Sequence, residues 1–407
     1  MSFPSRPAAA GPAPRVAHAL AALALSLLLG LQPITTDVYL PALPLLTREL
    51  GATMGSAQLT MSALILAFGI GQLFWGPVAD RVGRRPVLLS GLALYLLASI
   101  GSAAAPSIEL LIVWRTLQGA CLAAAVVVAR AIVRDLYQPH EGARVMALAL
   151  SGLAVIAIIG PALGGLIAAA SGWRATLALV AVAGAATLAF VAWRLPETLA
   201  QKNPRATAPA PLFAAWARIA REPAFVAWAL LVSCTYGGMF AILAGSSFVY
   251  MNMLGLSAGG YGLAIASASG AYLIGTLVCR RWIVRWGLAG AVKRGAVFTL
   301  AGGAAMLLLA LAGAHSIWAV LLPQWLYGFG HGIHQPCGQV GAVSLFPHAA
   351  GTASALAGFV LALTAFVVGR WLGFVLADEI LPFAQCVAFW ALATTVVAWT
   401  LVQRLPR

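Results

Sequence analysis

The sequence predicts an all-α polytopic membrane protein, with twelve spans in two pseudo-symmetric six-helix halves. Three observations predict it. The 407 residues are 62% hydrophobic and only 8% charged, where a soluble domain carries about a quarter charged residues. Apolar runs of roughly 20 residues recur along the chain, each long enough to cross ~30 Å of hydrocarbon as a helix. The basic residues stand in small groups between those runs, as topology signals do. Short alternating strands of the barrel kind are absent from the pattern.

The spans are expected near 17–46, 57–79, 86–105, 109–134, 144–170, 174–194, 223–250, 258–279, 292–313, 316–342, 351–376 and 380–402. Residues 1–16, rich in Pro and Ala, read as a disordered tail, and 403–407 as a short polar end. The run after the tail is too long for the apolar core of a cleaved signal peptide. An even number of spans puts both termini on one side. Twenty of the 24 Lys and Arg then share the side of the termini, while Arg48 and Arg174 fall opposite. That bias predicts cytoplasmic termini. The same placement accounts for the net charge of +14 and argues against a nucleic-acid partner; the lipid bilayer is the expected one.

The longest polar stretch, 195–222, divides a bundle at 17–194 from a second at 223–402. Within it, PLFAAWARIAREP sets Phe213, Trp216 and Ile219 at helical spacing, which fits an interfacial amphipathic helix or a plain solvated linker. The halves repeat: Gly76-Pro-Val-Ala-Asp80-Arg81 returns 199 residues later as Gly275-Thr-Leu-Val-Cys279-Arg280. Paired six-helix repeats around a central site are a transporter architecture.

The turn Trp75–Pro86 is the most charged stretch of the spanning region. Its arginines serve topology, but that leaves Asp80 without a purpose, since acids contribute little to orientation. Gly76 and Gly83 permit close packing and a tight turn. The pattern Gly76, Asp80, Arg81, Gly83, Arg84, Arg85 resembles motif A of the major facilitator superfamily. Arg115-Thr-Leu-Gln118-Gly119 resembles its motif B. Gly152, Gly160, Pro161, Gly164 and Gly165 resemble motif C, the signature of its antiporters. Thr36-Asp37-Val-Tyr39-Leu-Pro41-Ala-Leu-Pro44, Trp173-Arg174 and Leu195-Pro-Glu197-Thr198-Leu are similar to the bicyclomycin/chloramphenicol-resistance (Bcr/CflA) branch of drug:proton antiporters. The resemblance covers residues 17–402. It implies a monomeric multidrug exporter of the bacterial inner membrane, driven by the proton gradient and needing no cofactor. It also implies that Asp80 approaches the backbone near Gly351–Thr352 when the gate on its side closes. An exporter of an amino acid, sugar or siderophore is the alternative.

Asp37 is the one acid well inside a span, where an unpaired charge is costly and a functional role is the default. Arg115 is expected at similar depth. The two fit either a structural ion pair or a proton switch, whose carboxyl affinity burial raises and the cation lowers. Gln118, one turn from Arg115, adds hydrogen bonding. Tyr39, Tyr236, Phe240 and Tyr327 are candidates to line the substrate cavity, by stacking or attraction to cations, or else they pack. His331 and His334 share a helix face. Polar cavity lining, auxiliary proton binding and, with no carboxylate beside them, a metal site are the readings they allow. The five cysteines have no metal or disulfide spacing. Lacking a phosphate loop and having only two lysines, the chain does not read as an ATPase. Gly255-Leu-Ser257-Ala-Gly259 matches a hydrolase elbow in letters only, with no strand before it, so no enzyme activity is expected.

Overall fold

The computed structural model describes residues 15–376 and 379–405. All regular structure among them is helical. The elements are α1 (Arg15–Asp37), a 3-10 turn (Leu40–Ala42), α2 (Leu43–Glu49), α3 (Met54–Val82), α4 (Arg84–Ala103), α5 (Ile108–Leu136), α6 (Pro139–Arg194), α7 (Pro209–Ala220), α8 (Pro223–Phe248), a π turn (Val249–Met253), α9 (Ala258–Leu311), α10 (Ile317–Ser344), α11 (Ala350–Val375), α12 (Leu381–Trp399) and a last 3-10 turn (Val402–Arg404).

Among the described residues, nine helices are long and apolar enough to cross a membrane. Two of these, α6 and α9, each carry two of the expected spans. The expected loops at 170–174 and 279–292 are instead single-residue breaks, at Gly172 (φ 78°) and Gly287 (φ 67°). Glycine accepts that left-handed conformation without a Cβ clash, so the chain reverses within one residue. The first expected span is interrupted. Pro41 has no N–H to offer the Asp37 carbonyl, and Pro44 none to offer Leu40, so the helix stops at Asp37 and resumes as α2.

The core has three parts. One apolar cluster draws on both halves: Tyr39, Leu43, Met61 and Trp173 from the first, and Phe240, Tyr250, Tyr261 and Phe383 from the second. The other two each stay within one half, around Leu28, Leu88, Tyr95 and Val126 and around Ile219, Trp228, Cys279 and Ile333. The halves are therefore fused at one end and separate at the other. The separate end carries the Trp75–Pro86 turn and the 195–222 linker, and is called the basic end below.

Small residues make the fused end tight. A Cβ on Gly165 of α6 would run into the Ala258 carbonyl of α9, and one on Gly262 into the Pro161 carbonyl. Gly55 of α3 meets Gly373 of α11 in the same way. Arg48 Nη2 donates to Asn252 Oδ1 across the halves at 3.1 Å. Trp173, fully buried, donates from its indole to Glu49 at 2.7 Å, and Arg174 lies 4.2 Å over the Trp173 ring.

Candidate functional site: a cleft at the basic end and a half-buried acid beyond it

The cleft between the halves opens at the basic end and comprises two chambers. The outer has a volume of about 380 Å³ and is lined by Asp80, Arg84, Arg130, Arg134, Trp216 and His348, among others. The inner, about 100 Å³, is lined by Gln32, Phe68, Gln72, Arg130, Tyr236, Gln335, Gln339 and Ser354 with apolar neighbours. Four amides and two aromatic rings suit a ligand that is partly polar and partly flat. The amides are the site residues that sequence reasoning missed. Each is a polar residue in a spanning run, Gln335 beside His334 and Gln339 one turn on, which is a visible but uncharged signal.

The expected cavity residues divide. Tyr236 lines the inner chamber, with Phe240 stacked behind it at 6.2 Å. His331 packs against Tyr236 and Tyr272, and its Nδ1 pairs with Thr235 Oγ1 at 3.1 Å. The other candidates are packed away from both chambers. Tyr39 is fully buried, its hydroxyl paired with Thr60 at 2.9 Å. Tyr327 donates to the Thr235 carbonyl at 3.0 Å. His334 turns toward α9, with Thr299 Oγ1 at 3.4 Å and the Val292 carbonyl at 3.2 Å. Gln118 donates to Ser99 Oγ at 2.6 Å. Each has a polar partner inside its own half, and a satisfied buried group gains nothing by facing a cavity.

Asp37 and Arg115 do not form an ion pair, the structural one of the two readings the sequence allowed. Fully buried Arg115 donates to Gln118 Oε1 at 2.7 Å and to the Thr35 carbonyl at 3.0 Å, and lies 4.4 Å over the Tyr39 ring. The Asp37 carboxylate accepts from Thr36 Oγ1 at 2.7 Å. It lies within electrostatic reach of the phenols of Tyr236 and Tyr261 in the other half. The break in α1 explains the separation. Arg115 grips the backbone just before the break, while the Asp37 Cβ lies beside Gly160 of α6.

The antiporter-type glycines pack α6 against α1. A Cβ on Gly152 would meet Ser26 Oγ at 2.7 Å, one on Gly160 would lie 3.8 Å from the Asp37 Cβ, and one on Gly164 would strike the Val38 carbonyl. With Gly165 crossing to α9, this face of α6 holds the Asp37 segment to the interface between the halves.

The charged turn is an ionic hub. Arg84 Nη1 donates to Asp80 at 2.6 Å and its Nε to Asp135 at 2.8 Å. Glu197 accepts from the Arg84 and Arg85 backbone N–H groups at 2.9 and 3.2 Å, at the start of α4. Gly83 (φ 124°) turns the chain there, and a Cβ on it would come within 2.5 Å of the Glu197 carboxylate. Partial burial pushes the Glu197 carboxyl up, but donation by the Leu199, Arg84, Arg85 and Thr198 backbones outweighs it and holds the group below its ordinary range. Arg85 donates to the Leu195 and Ala192 carbonyls, and Arg81 to Thr207. Asp80 and Gly351–Thr352 line opposite walls of the outer chamber. The approach between them belongs to a closed cleft; in this open one Asp80 pairs with Arg84.

The linker forms α7, which does more than lie at an interface. Leu212 and Trp216 face the outer chamber, Ile219 is buried, and Phe213 alone of these large apolar side chains is well exposed. Ser257 of the elbow-like letters caps α9 by accepting from the Gly260 N–H at 3.1 Å, a structural duty.

This geometry defines a class: a helical transporter of two repeats with its cleft open at one end. The family model described as "Major Facilitator Superfamily" matches residues 25–369, and the chain belongs to that superfamily. It is 32% identical over 330 residues to the "Chloramphenicol resistance protein" of Pseudomonas aeruginosa, covering 79% of this chain and 75% of that one. It is 30% identical to "Multidrug resistance protein D" of Escherichia coli (strain K12), covering 83% and 84%. Its fold matches a crystal structure of a D-xylose-proton symporter with a TM-score of 0.75, at 15% identity over 96% of this chain and 97% of that one. The chain is a transporter and not an enzyme.

Proposed function

We propose that the chain exports small lipophilic drugs in exchange for protons by alternating access, with chloramphenicol or bicyclomycin-like antibiotics as the substrate type. The reading takes α6 and α9 as two spans each. With α10 that makes twelve, both termini cytoplasmic, in the inner membrane of a bacterium. The basic end then faces the cytoplasm and the conformation is inward-facing. The names of the relatives favour drugs over an endogenous metabolite.

One observation carries the coupling. Asp37 stands at a helix break between the halves, five residues beyond Gln32 of the inner chamber, or about 7.5 Å along a helix at 1.5 Å per residue. A carboxylate at that depth requires a partner or water, and Arg115 is occupied elsewhere. Asp37 is therefore the proton carrier, protonated from outside and released toward the cleft. Arg115 acts on it through the Thr35 backbone, as a positioning residue for the break. Asp80 and the arginines of its turn form the gate on the cytoplasmic side.

Proteoliposomes with an internal pH dye test this. Chloramphenicol added to the wild-type protein is expected to release protons, and Asp37→Asn is expected to lose that flux while remaining folded and inserted. Uphill drug movement by Asp37→Asn would assign the proton to another group.

A further inference from the structure

The two chambers of the cleft share Gln72, Arg130, Val343 and Ser354. Arg130 of α5 forms the neck between them, its Nη1 donating to Ser354 Oγ of α11 at 3.0 Å. The charged and titratable groups facing the outer chamber are Asp80, Arg84, Arg130, Arg134 and His348. Asp80, the acid among them, is taken by Arg84, which Asp135 also holds. Among the described residues, neither Arg130 nor Arg134 pairs with a carboxylate. Arg134 stands at the start of α11 and Arg130 a turn further along it, and the N-cap Ala349 has no polar side chain to accept from the first turn. The Arg134 guanidinium lies against Gly351 of that turn, where a Cβ would come within 3.1 Å of Nη1.

We propose that this neck is a binding site for the acid group of an amphiphilic substrate. A carboxylate sits between Arg130 and Arg134 at the open N-terminus of α11, with the apolar body reaching into the inner chamber toward Phe68 and Tyr236. The chemistry is direct. Arginine holds a carboxylate through charge-assisted, often paired, hydrogen bonds, and helix N-termini favour anions. The neutral Ser354 hydroxyl is the weaker acceptor, so an acid displaces it and parts the only bond across the neck among the described residues. The inference rests on the transporter reading and goes beyond it, adding an acidic substrate class to the lipophilic drugs proposed above. Its test is a binding measurement, whose failure leaves the export experiment untouched.

The probes are 4-phenylbutyrate, 4-phenyl-1-butanol and 4-phenylbutylamine, which share one body and differ in the head group. Equilibrium dialysis against the full chain in neutral detergent is expected to show the acid binding at least roughly tenfold tighter than the alcohol or the amine, the gain of one charge-assisted bond. Arg130→Gln and Arg134→Gln are each expected to weaken the acid by roughly tenfold. Arg130→Lys, which keeps the charge, should weaken it less. Ser354→Ala removes the competing acceptor and is expected to tighten the acid, the reverse of what general loosening of the fold produces. Equal binding of acid and alcohol overturns the proposal, as does weaker acid binding by Ser354→Ala. A lipid occupant is the remaining source of the same chemistry: loss of acid binding in nanodiscs containing phosphatidylglycerol, with binding retained in pure phosphatidylcholine, overturns the substrate assignment in favour of a headgroup site.

Discussion

At Asp80 the first repeat places a carboxylate that is half exposed to the cleft, held by Arg84 and, through it, by Asp135. At Cys279, the same place in the second repeat, stands a buried thiol 3.4 Å from the Cys337 sulfur of α10. Gly76 leaves moderate room beside Val127, whereas a Cβ on Gly275 would strike the Phe329 carbonyl. The first turn is held by directional ionic contacts, the second by close apolar packing. Ionic partners can be exchanged as the halves move. A packed helix pair moves as a unit, because a dense interior has few intermediate arrangements. The repeats thus share a backbone plan but are held differently, by exchangeable ionic contacts in the first half and by close packing in the second.

The largest expected effect comes from making the two turns alike. Cys279→Asp puts a carboxylate into a site with no cation to meet it, and an uncompensated buried charge costs about 3–5 kcal/mol. The variant is expected to unfold on extraction or melt far below wild type, as followed by fluorescence-detected gel filtration after heating. Cys279→Ala should fold. If Cys279→Asp is as stable as Cys279→Ala, the second turn is not a packed body.

Next comes Arg84→Ala, which strips Asp135 and Asp80 of their shared partner. Hydrogen bonds to charged groups are worth about 1.5–3 kcal/mol each, and the half-exposed Asp80 pair lies at the low end, so a loss near 2 kcal/mol is expected in thermal unfolding. Lys at the same position keeps charge but cannot bridge both acids with a fork, and should recover only part. Full recovery by Arg84→Lys would reduce the hub to simple charge balance.

The smallest effect concerns Glu197. Its folded pKa lies below the ordinary 4.5, so its contribution is complete above about that pH and is lost as pH falls through the folded value. Wild type is therefore expected to lose about 1 kcal/mol, the usual worth of a helix-start cap, relative to Glu197→Gln between pH 7 and 3.5. Parallel melting curves for the two proteins over that range would show that Glu197 does not cap α4 as a carboxylate.

Much of the molecule was legible in the sequence because it follows from composition and local chemistry. The apolar runs, the basic side, the glycines that mark close helix contacts and the isolated acid at Asp37 are all one-dimensional signals. The charged turn was legible too, since four charges in an apolar chain need a reason. The site itself was less so. Gln118, Tyr327 and His334 stand on the right helices and Tyr39 just past the end of α1, but which way a side chain faces depends on partners such as Thr60, Ser99, Thr235 and Thr299, distant in sequence.

What the sequence determined by itself was the class of protein and the presence of one acid where acids are expensive, because hydrocarbon imposes length and polarity on every spanning segment regardless of its neighbours. What the tertiary structure decided was the pairing. Pro41 and Pro44 end α1 at Asp37, Arg115 spends its donors on Thr35 and Gln118, Asp80 turns to Arg84, and Arg130 is left at the neck with only a serine across it. A buried polar group takes whichever partner lies within about 3 Å with the right geometry, and that partner is fixed by how helices pack, not by their order along the chain.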